Sequence, residues 1–263
     1  MTKTSGSAAA RTTAAVLRRA CRALVRDVRA RLAEVADPVK APAMQAYMKS
    51  AMPYLGVPVP AMRAACRDIF ASHPLADFEE WRDTALALWR GASHREHRYA
   101  AIQLTGVRAA RDFQTTRALP MYEEMIVTGA WWDYVDEIAS HRLGAILRRE
   151  PERMRRTMLA WARGDDLWKR RSAILCQLGF KAETDLDLLY ACIEPSLGSK
   201  EFFLQKAIGW ALRQHAWTDP AEVVRYVRAN ESRLAALSKR EALKNVSTDG
   251  RGRSPGARSR RER

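Results

Sequence analysis

Residues 166–180 read DLWKRRSAILCQLGF, and their apolar side chains recur at the period of an amphipathic helix. The Ala-Ile pair in this stretch has counterparts elsewhere in the chain. The aligned pairs are Ala101-Ile102, Glu137-Ile138, Ala173-Ile174 and Ala207-Ile208, whose isoleucines lie 36, 36 and 34 residues apart. Such a period, with two helices per unit, is typical of an α-solenoid, in which stacked helix pairs bury a continuous core. A compact irregular helical bundle is the alternative.

Other segments show the same helical period, and short breaks rich in Gly, Pro and Asp separate them. No alternating strand pattern competes with this signal, so we predict an all-α fold. The predicted organisation is an N-terminal extension and first helix over residues 1–40, a helical-repeat domain over 41–246, and a disordered Arg- and Gly-rich tail over 247–263.

The charge of the chain indicates its partner. The 263 residues include 45 basic and 30 acidic side chains, a net charge of +15. This surplus attracts polyanions, and its predominant arginines match phosphate oxygens. An Arg-rich composition inherited from GC-rich coding DNA is the alternative explanation. The apolar fraction of 47% excludes disorder of the whole chain, and the absence of an apolar run of about 18 residues argues against a transmembrane protein.

Metal and cofactor motifs are lacking in the sequence. The four cysteines form no CxxC pair, which argues against a zinc ribbon or an iron–sulfur cluster. No glycine-rich loop that could cradle a phosphate is present. We therefore predict neither a metal site nor a cofactor.

Residues 131–136 read WWDYVD. Successive helical residues lie about 100° apart, so the two indoles cannot both face the core, and one packs inward while the other points elsewhere. An indole beside a carboxylate would form a pocket for a cation. The alternative is that both indoles are buried between helix layers and the acids lie at a wet rim.

The repeat frame brings further polar residues toward this segment. Counted from each repeat isoleucine at about 100° per residue, Trp132, Asp136, Arg171 and Trp210 fall within one sector of about 140° that excludes the core position. Lys206 falls in the same sector, where a phosphate contact is a better interpretation than a nucleophile. An acid, a guanidinium and two indoles are thus expected to face one surface.

Five separated strings resemble the AlkD-type DNA alkylation repair glycosylases, which are built from HEAT-like repeats. The strings are AYMKSAMPYLGV (46–57), WWDYVDEIA (131–139), DLWKRRSAILCQLGFK (166–181), SKEFFLQKAIGWALR (199–213) and LSKREALKNV (237–246). The resemblance implies an α-solenoid of HEAT-like repeats with a concave, basic, DNA-binding face.

The resemblance also implies roles for the positions that match the family's strings. The implied catalytic residues are Asp136, Trp132, Trp210 and Arg171. The implied DNA contacts are Tyr47, Arg171 and Arg213, to which the sector argument adds Lys206. One departure is the run Lys169-Arg170-Arg171, which places two adjacent arginines where one is expected to act.

The implied activity is a monofunctional DNA glycosylase, without metal or cofactor, that hydrolyses the N-glycosidic bond of cationic N3- or N7-alkylated purines in duplex DNA. An ionised Asp136 would stabilise the oxocarbenium-like transition state and orient water. Because a cationic base leaves as a neutral molecule, no general acid is needed. A non-catalytic helical-repeat module that binds DNA or RNA is the alternative, and a protein-binding scaffold is a third hypothesis. We expect a cytoplasmic monomer that associates with the nucleoid when bound to DNA.

Overall fold

A computed structural model describes residues 19–246, and within that range every regular element is helical, as predicted. The predicted N-terminal extension up to residue 18 and the predicted tail lie outside the described residues. The helices are α1 (Arg22–Glu34), α2 (Ala41–Met48), α3 (Val59–Ser72), α4 (Phe78–Arg90), α5 (Arg95–Thr105), α6 (Leu119–Gly129), α7 (Trp132–Glu137), α8 (Gly144–Arg149), α9 (Pro151–Arg163), α10 (Leu167–Leu175), α11 (Leu186–Ile193), α12 (Phe202–His215), α13 (Pro220–Ala229) and α14 (Ala236–Ala242). Short 3-10 segments span Arg108–Phe113, Thr116–Ala118, Lys181–Glu183 and Glu194–Ser196, and a π-helical turn spans Ile138–Leu143.

The chain divides into two compact units, one up to Met125 and one from Ile126. In the first unit, α1 packs against α3, α4 and α5. Its apolar side faces inward, because Leu24, Val28 and Leu32 are completely buried. Removing such leucine and valine side chains from water is the main favourable term that holds a helix of this kind in place.

A carboxylate fixes the loop that follows α2 in the first unit. Glu96, completely buried on α5, accepts hydrogen bonds from the backbone N–H groups of Leu55, Gly56 and Val57 at 3.0, 3.0 and 3.1 Å. Gly56 adopts a φ of +85°, and a Cβ there would lie 1.9 Å from the Asp37 carbonyl oxygen. Only glycine fits this turn, which accounts for the glycine in the string over residues 46–57.

In the second unit, the helices that carry the repeat isoleucines pack in succession. α7 and the π-helical turn contact α10, α10 contacts α12, and α12 contacts α14. Ile138, Ile174 and Ile208 are all buried to within 2% exposure, as is Ile102 in the first unit, so the repeat positions are core positions as predicted. α9 and α11 pack behind α10 and complete the core of this unit.

The helical segment that begins at Trp132 is interrupted. α7 ends at Glu137, the π-helical turn follows, and α8 continues from Gly144. The Oγ of Ser140, within this turn, donates a hydrogen bond of 2.6 Å to the Asp136 carbonyl oxygen. A π-helical turn shifts the angular register of the residues on either side, and such turns occur frequently at functional sites.

Candidate active site

Asp136 on α7 and Arg171 on α10 form a bidentate ion pair. The Arg171 Nε donates to Oδ1 of Asp136 at 2.7 Å, and Nη2 donates to Oδ2 at 2.8 Å. The two residues are 9% and 4% exposed, respectively. This geometry places the predicted acid and guanidinium in direct contact, although both lie beneath the surface rather than on it.

Arg171 makes a third hydrogen bond within the second unit. Its Nη1 donates to the backbone carbonyl oxygen of Phe203 at 2.5 Å. Three of the five guanidinium N–H groups are therefore used inside the protein. In this arrangement the planar fork that sequence reasoning assigned to a DNA phosphate faces Asp136.

Local sequence fixes the start of the helix that carries Arg171. The side chain of Asp166 accepts hydrogen bonds from the backbone N–H groups of Trp168 and Lys169 at 2.9 and 2.8 Å. Such an N-cap satisfies donors that the first helical turn leaves without partners. It thereby sets where α10 begins and which side of it carries Arg171.

The two arginines of α10 have different partners. Arg170 donates through Nη2 to the Pro195 carbonyl oxygen at 2.8 Å and to the Ser196 Oγ at 3.0 Å. Arg171 instead binds Asp136. Since consecutive helical residues point about 100° apart, only the second arginine can reach α7. The Arg-Arg departure noted in the sequence thus leaves one arginine at the site.

Two opposing effects act on the carboxyl group of Asp136. Burial raises its pKa above the usual range, whereas the hydrogen bonds and the charge of Arg171 lower it, and the nearby charge of Asp133 raises it further. Both oxygens accept N–H groups from one guanidinium, which is the geometry of an ionised carboxylate. Each oxygen retains a second lone pair that can accept a hydrogen bond.

An aromatic cluster lies next to the ion pair. The Trp168 ring centroid is 5.0 Å from that of Phe203 and 6.2 Å from that of Trp131, and Trp131 and Phe203 are 5.6 Å apart. The guanidinium carbon of Arg171 lies 5.8 Å from the Phe203 ring centroid. These three rings form the aromatic cluster, which packs against one side of the Arg171 guanidinium.

The two tryptophans of the WWDYVD segment differ in their surroundings. Trp131 immediately precedes α7 in extended backbone and packs into the aromatic cluster. Trp132 is the first residue of α7, one helical turn before Asp136, and is partly exposed. Both indoles are partly exposed, so their burial does not separate an inward from an outward tryptophan as the sequence predicted. The sequence also missed Phe203 as a partner of Arg171, and the adjacent aromatic residue, Phe202, was the nearest signal.

The remaining predicted residues of the second unit lie on α12. Trp210 is partly exposed and packs against the core of the unit. Lys206 and Arg213 both form ion pairs with Glu241 of α14, at 3.1 and 2.5 Å. Sequence reasoning missed Glu241, because it stands in a short helix without a repeat isoleucine.

Tyr47 lies in the first unit, at the end of α2, and is 78% exposed. The loop that follows it is held by Glu96, as described above, and by a hydrogen bond of 3.1 Å from the Gln45 side chain to the Ser50 carbonyl oxygen. The Tyr47 side chain is therefore exposed on a short helix, and hydrogen bonds hold the loop that follows this helix in place.

Within residues 19–246, no group of three or more His, Cys, Asp or Glu side chains is arranged to hold a metal ion. None of the helices in that range is both long and apolar enough to span a bilayer.

Comparisons with known proteins identify a family. Residues 28–246 match the protein family described as DNA alkylation repair enzyme. A solved structure described as a predicted DNA alkylation repair enzyme from Enterococcus faecalis is 28% identical to this chain, with a TM-score of 0.73. The match covers 81% of this chain and 97% of the other. No curated protein matches the sequence.

Proposed function

Since the chain belongs to the DNA alkylation repair enzyme family, we propose that it is a DNA glycosylase that removes cationic N3- and N7-alkylated purines from duplex DNA. The observation that carries this proposal is the buried bidentate pair of Asp136 and Arg171, one helical turn from the partly exposed indole of Trp132. A carboxylate fixed in this way is a preorganised negative charge.

The chemistry requires one anion and one water molecule. An N-alkylated purine carries a positive charge, so the bond between its nitrogen and C1′ breaks with both electrons passing to the base, which leaves neutral. The positive charge then develops on the sugar as an oxocarbenium-like species. Asp136 stabilises that charge. A water molecule forms the new bond to C1′, and its proton passes to the carboxylate and then to solvent.

Arg171 serves this step through Asp136. Burial raises the pKa of Asp136, and the two hydrogen bonds and the charge of Arg171 oppose that rise and favour the ionised carboxylate. The bidentate geometry also fixes the direction in which the carboxylate oxygens point. The two N–H groups of Arg171 that these internal hydrogen bonds do not use would donate to a phosphate of the bound strand.

Aromatic and basic residues account for binding. The indoles of Trp132 and Trp210, both partly exposed, would hold the deoxyribose and the cationic base by contacts with their ring faces. Tyr47, Lys206 and Arg213 would contact the DNA backbone. The partner is double-stranded DNA, and the protein acts as a monomer.

The test is release of 7-methylguanine from a duplex that contains it at one position, measured by chromatography of the free base. The matched substrate carries 8-oxoguanine, a neutral lesion, at the same position. We expect the first base to be released and the second to be retained, and the abasic strand to remain uncleaved. Binding without release of 7-methylguanine would favour the non-catalytic module instead.

A further inference from the structure

One carboxylate in the second unit binds two of the proposed DNA contacts. Glu241 of α14 accepts hydrogen bonds from Arg213 Nη1 through Oε2, at 2.5 Å, and forms an ion pair with Lys206 Nζ through Oε1, at 3.1 Å. Each of its oxygens thus faces one cation of α12. We call these three residues the Glu241 cluster.

Close packing of α12 and α14 builds the cluster. A Cβ on Gly209 would lie 2.5 Å from the Cβ of Glu241 and 3.0 Å from the Ser238 carbonyl oxygen, so only glycine allows this approach. The Ser238 Oγ also donates a hydrogen bond of 2.9 Å to the Gln205 carbonyl oxygen. These contacts fix the Glu241 backbone against the α12 segment that separates the two cations.

Exposure differs between the acid and its partners. The Glu241 side chain is 13% exposed, whereas those of Arg213 and Lys206 are 23% and 38% exposed. The ion pair with Lys206 lowers the pKa of Glu241, which therefore remains charged at neutral pH. An anion that approaches from solvent meets the two cations more readily than it meets the carboxylate between them.

We propose that Glu241 is an internal counterion that competes with DNA phosphates for Lys206 and Arg213, and thereby weakens binding to undamaged DNA. This inference rests on the proposed function only in requiring that the two cations contact DNA. A phosphate must displace a carboxylate oxygen before it gains either cation. Weak binding to undamaged duplex shortens the time that the enzyme spends on sites without a lesion.

The experiment measures the dissociation constant of the full-length protein for an undamaged duplex, by fluorescence anisotropy over a range of NaCl concentrations. We expect Glu241→Gln to bind about three- to tenfold more tightly at low salt, because two cations become available to phosphate. We also expect the slope of log K against log salt to steepen by about one to two, since each phosphate contact adds about 0.9.

The matched control is Glu183→Gln. Glu183 is an exposed carboxylate in the same unit, paired with Arg148 at 3.4 Å, so the change in net charge is identical. We expect less than a twofold change in affinity for it. The gain from Glu241→Gln should also vanish when Lys206→Gln and Arg213→Gln are added. Glu241→Asp, too short to reach both cations, gives a second test with the net charge kept, and we expect it to bind more tightly than the wild type.

Unchanged or weaker DNA binding by a Glu241→Gln protein with a native circular dichroism spectrum overturns the inference. If Glu241→Gln does not fold, unchanged or weaker binding by Glu241→Asp overturns it instead. Release of 7-methylguanine, measured on the same preparations, separates this outcome from failure of the proposed function. Tighter binding without base release contradicts the glycosylase but leaves the counterion in place, whereas normal release with unchanged binding contradicts the counterion alone.

Discussion

The guanidinium of Arg171 grips both carboxylate oxygens of Asp136, at 2.7 and 2.8 Å, from a helix one repeat further along the chain. Both side chains are largely withdrawn from water, which makes the pair sensitive to the loss of either partner. Breaking a buried pair leaves one charge uncompensated, whereas in the intact pair the two side chains orient each other. Variants of the pair and of its surroundings can therefore separate its role in activity from its role in stability.

Arg171→Lys tests whether the bidentate geometry of the guanidinium matters. Lysine keeps the positive charge but cannot donate two parallel hydrogen bonds, so Asp136 loses its fixed orientation. We expect kcat for 7-methylguanine release to fall about tenfold or more, and the free energy of unfolding to fall by less than the roughly 3–5 kcal/mol expected for Arg171→Ala. Single-turnover rates and urea unfolding measure the two effects. Equal losses of stability in both variants would show that charge compensation by lysine fails at this position.

Trp131→Ala and Trp132→Ala should have different consequences although the residues are adjacent. Trp131 packs against Trp168 and Phe203 but is itself partly exposed, so its truncation is expected to lower the free energy of unfolding by about 2–3 kcal/mol, less than for a fully buried tryptophan. Trp132 is also partly exposed but precedes Asp136 by one helical turn, so its truncation should mainly reduce base release. Each variant is the control for the other, measured by urea unfolding and by release of 7-methylguanine. Base release that is lost in Trp131→Ala but retained in Trp132→Ala would contradict the proposed role of Trp132.

His97 should make stability depend on pH. Burial lowers the pKa of this buried histidine to about 4, and its Nδ1 accepts a hydrogen bond of 3.3 Å from the Ser93 backbone N–H. The unfolded chain takes up the proton near pH 6.5, before the folded one does. The contribution of neutral His97 to the free energy of unfolding is therefore fully present above about pH 6.5, and about 3 kcal/mol of it is lost as the pH drops to about 4.

His97→Asn removes this titration but keeps a side-chain acceptor. We expect its unfolding free energy to decline less than that of the wild type between pH 7 and 4.5, in urea titrations at each pH. His141→Asn is the matched control, since His141 is 60% exposed in its side chain and should leave the decline unaltered. Identical pH profiles for His97→Asn and the wild type would contradict the assignment.

Periodicity predicted the buried repeat positions and one contact between the predicted site residues. The repeat isoleucines are buried, and the sector argument brought Asp136 and Arg171 toward each other across one repeat. It could not predict that the pair closes into a bidentate contact, because that depends on rotamers and on the distance between α7 and α10. The π-helical turn after α7 depends on a local shift of backbone hydrogen bonds, which no side-chain pattern records.

Phe203 and Glu241 escaped the sequence analysis for different reasons. Phe203 contributes its carbonyl oxygen, an atom that every residue has, and only packing identifies which one Arg171 reaches. Glu241 stands on α14, whose length of two turns gives no clear period, and its contacts depend on how closely Gly209 lets the helices approach. Both are consequences of tertiary packing rather than of local propensity.

The central claim is that the Asp136 carboxylate stabilises the charge that develops on the sugar. Asp136→Asn preserves the shape of the side chain but removes its charge, and the comparison is made with Asp187→Asn, which neutralises an exposed carboxylate on α11. Asp136→Asn leaves Arg171 without its charged partner and is expected to lower the stability of the protein. Both variants are therefore assayed at saturating enzyme and at a temperature well below the midpoint of their thermal unfolding.

The decisive measurement is the single-turnover rate of 7-methylguanine release by Asp136→Asn relative to the wild type. We expect a loss of about a hundredfold or more with DNA affinity retained, and a rate close to that of the wild type for Asp187→Asn. A folded Asp136→Asn protein that releases the base as fast as the wild type would contradict the claim.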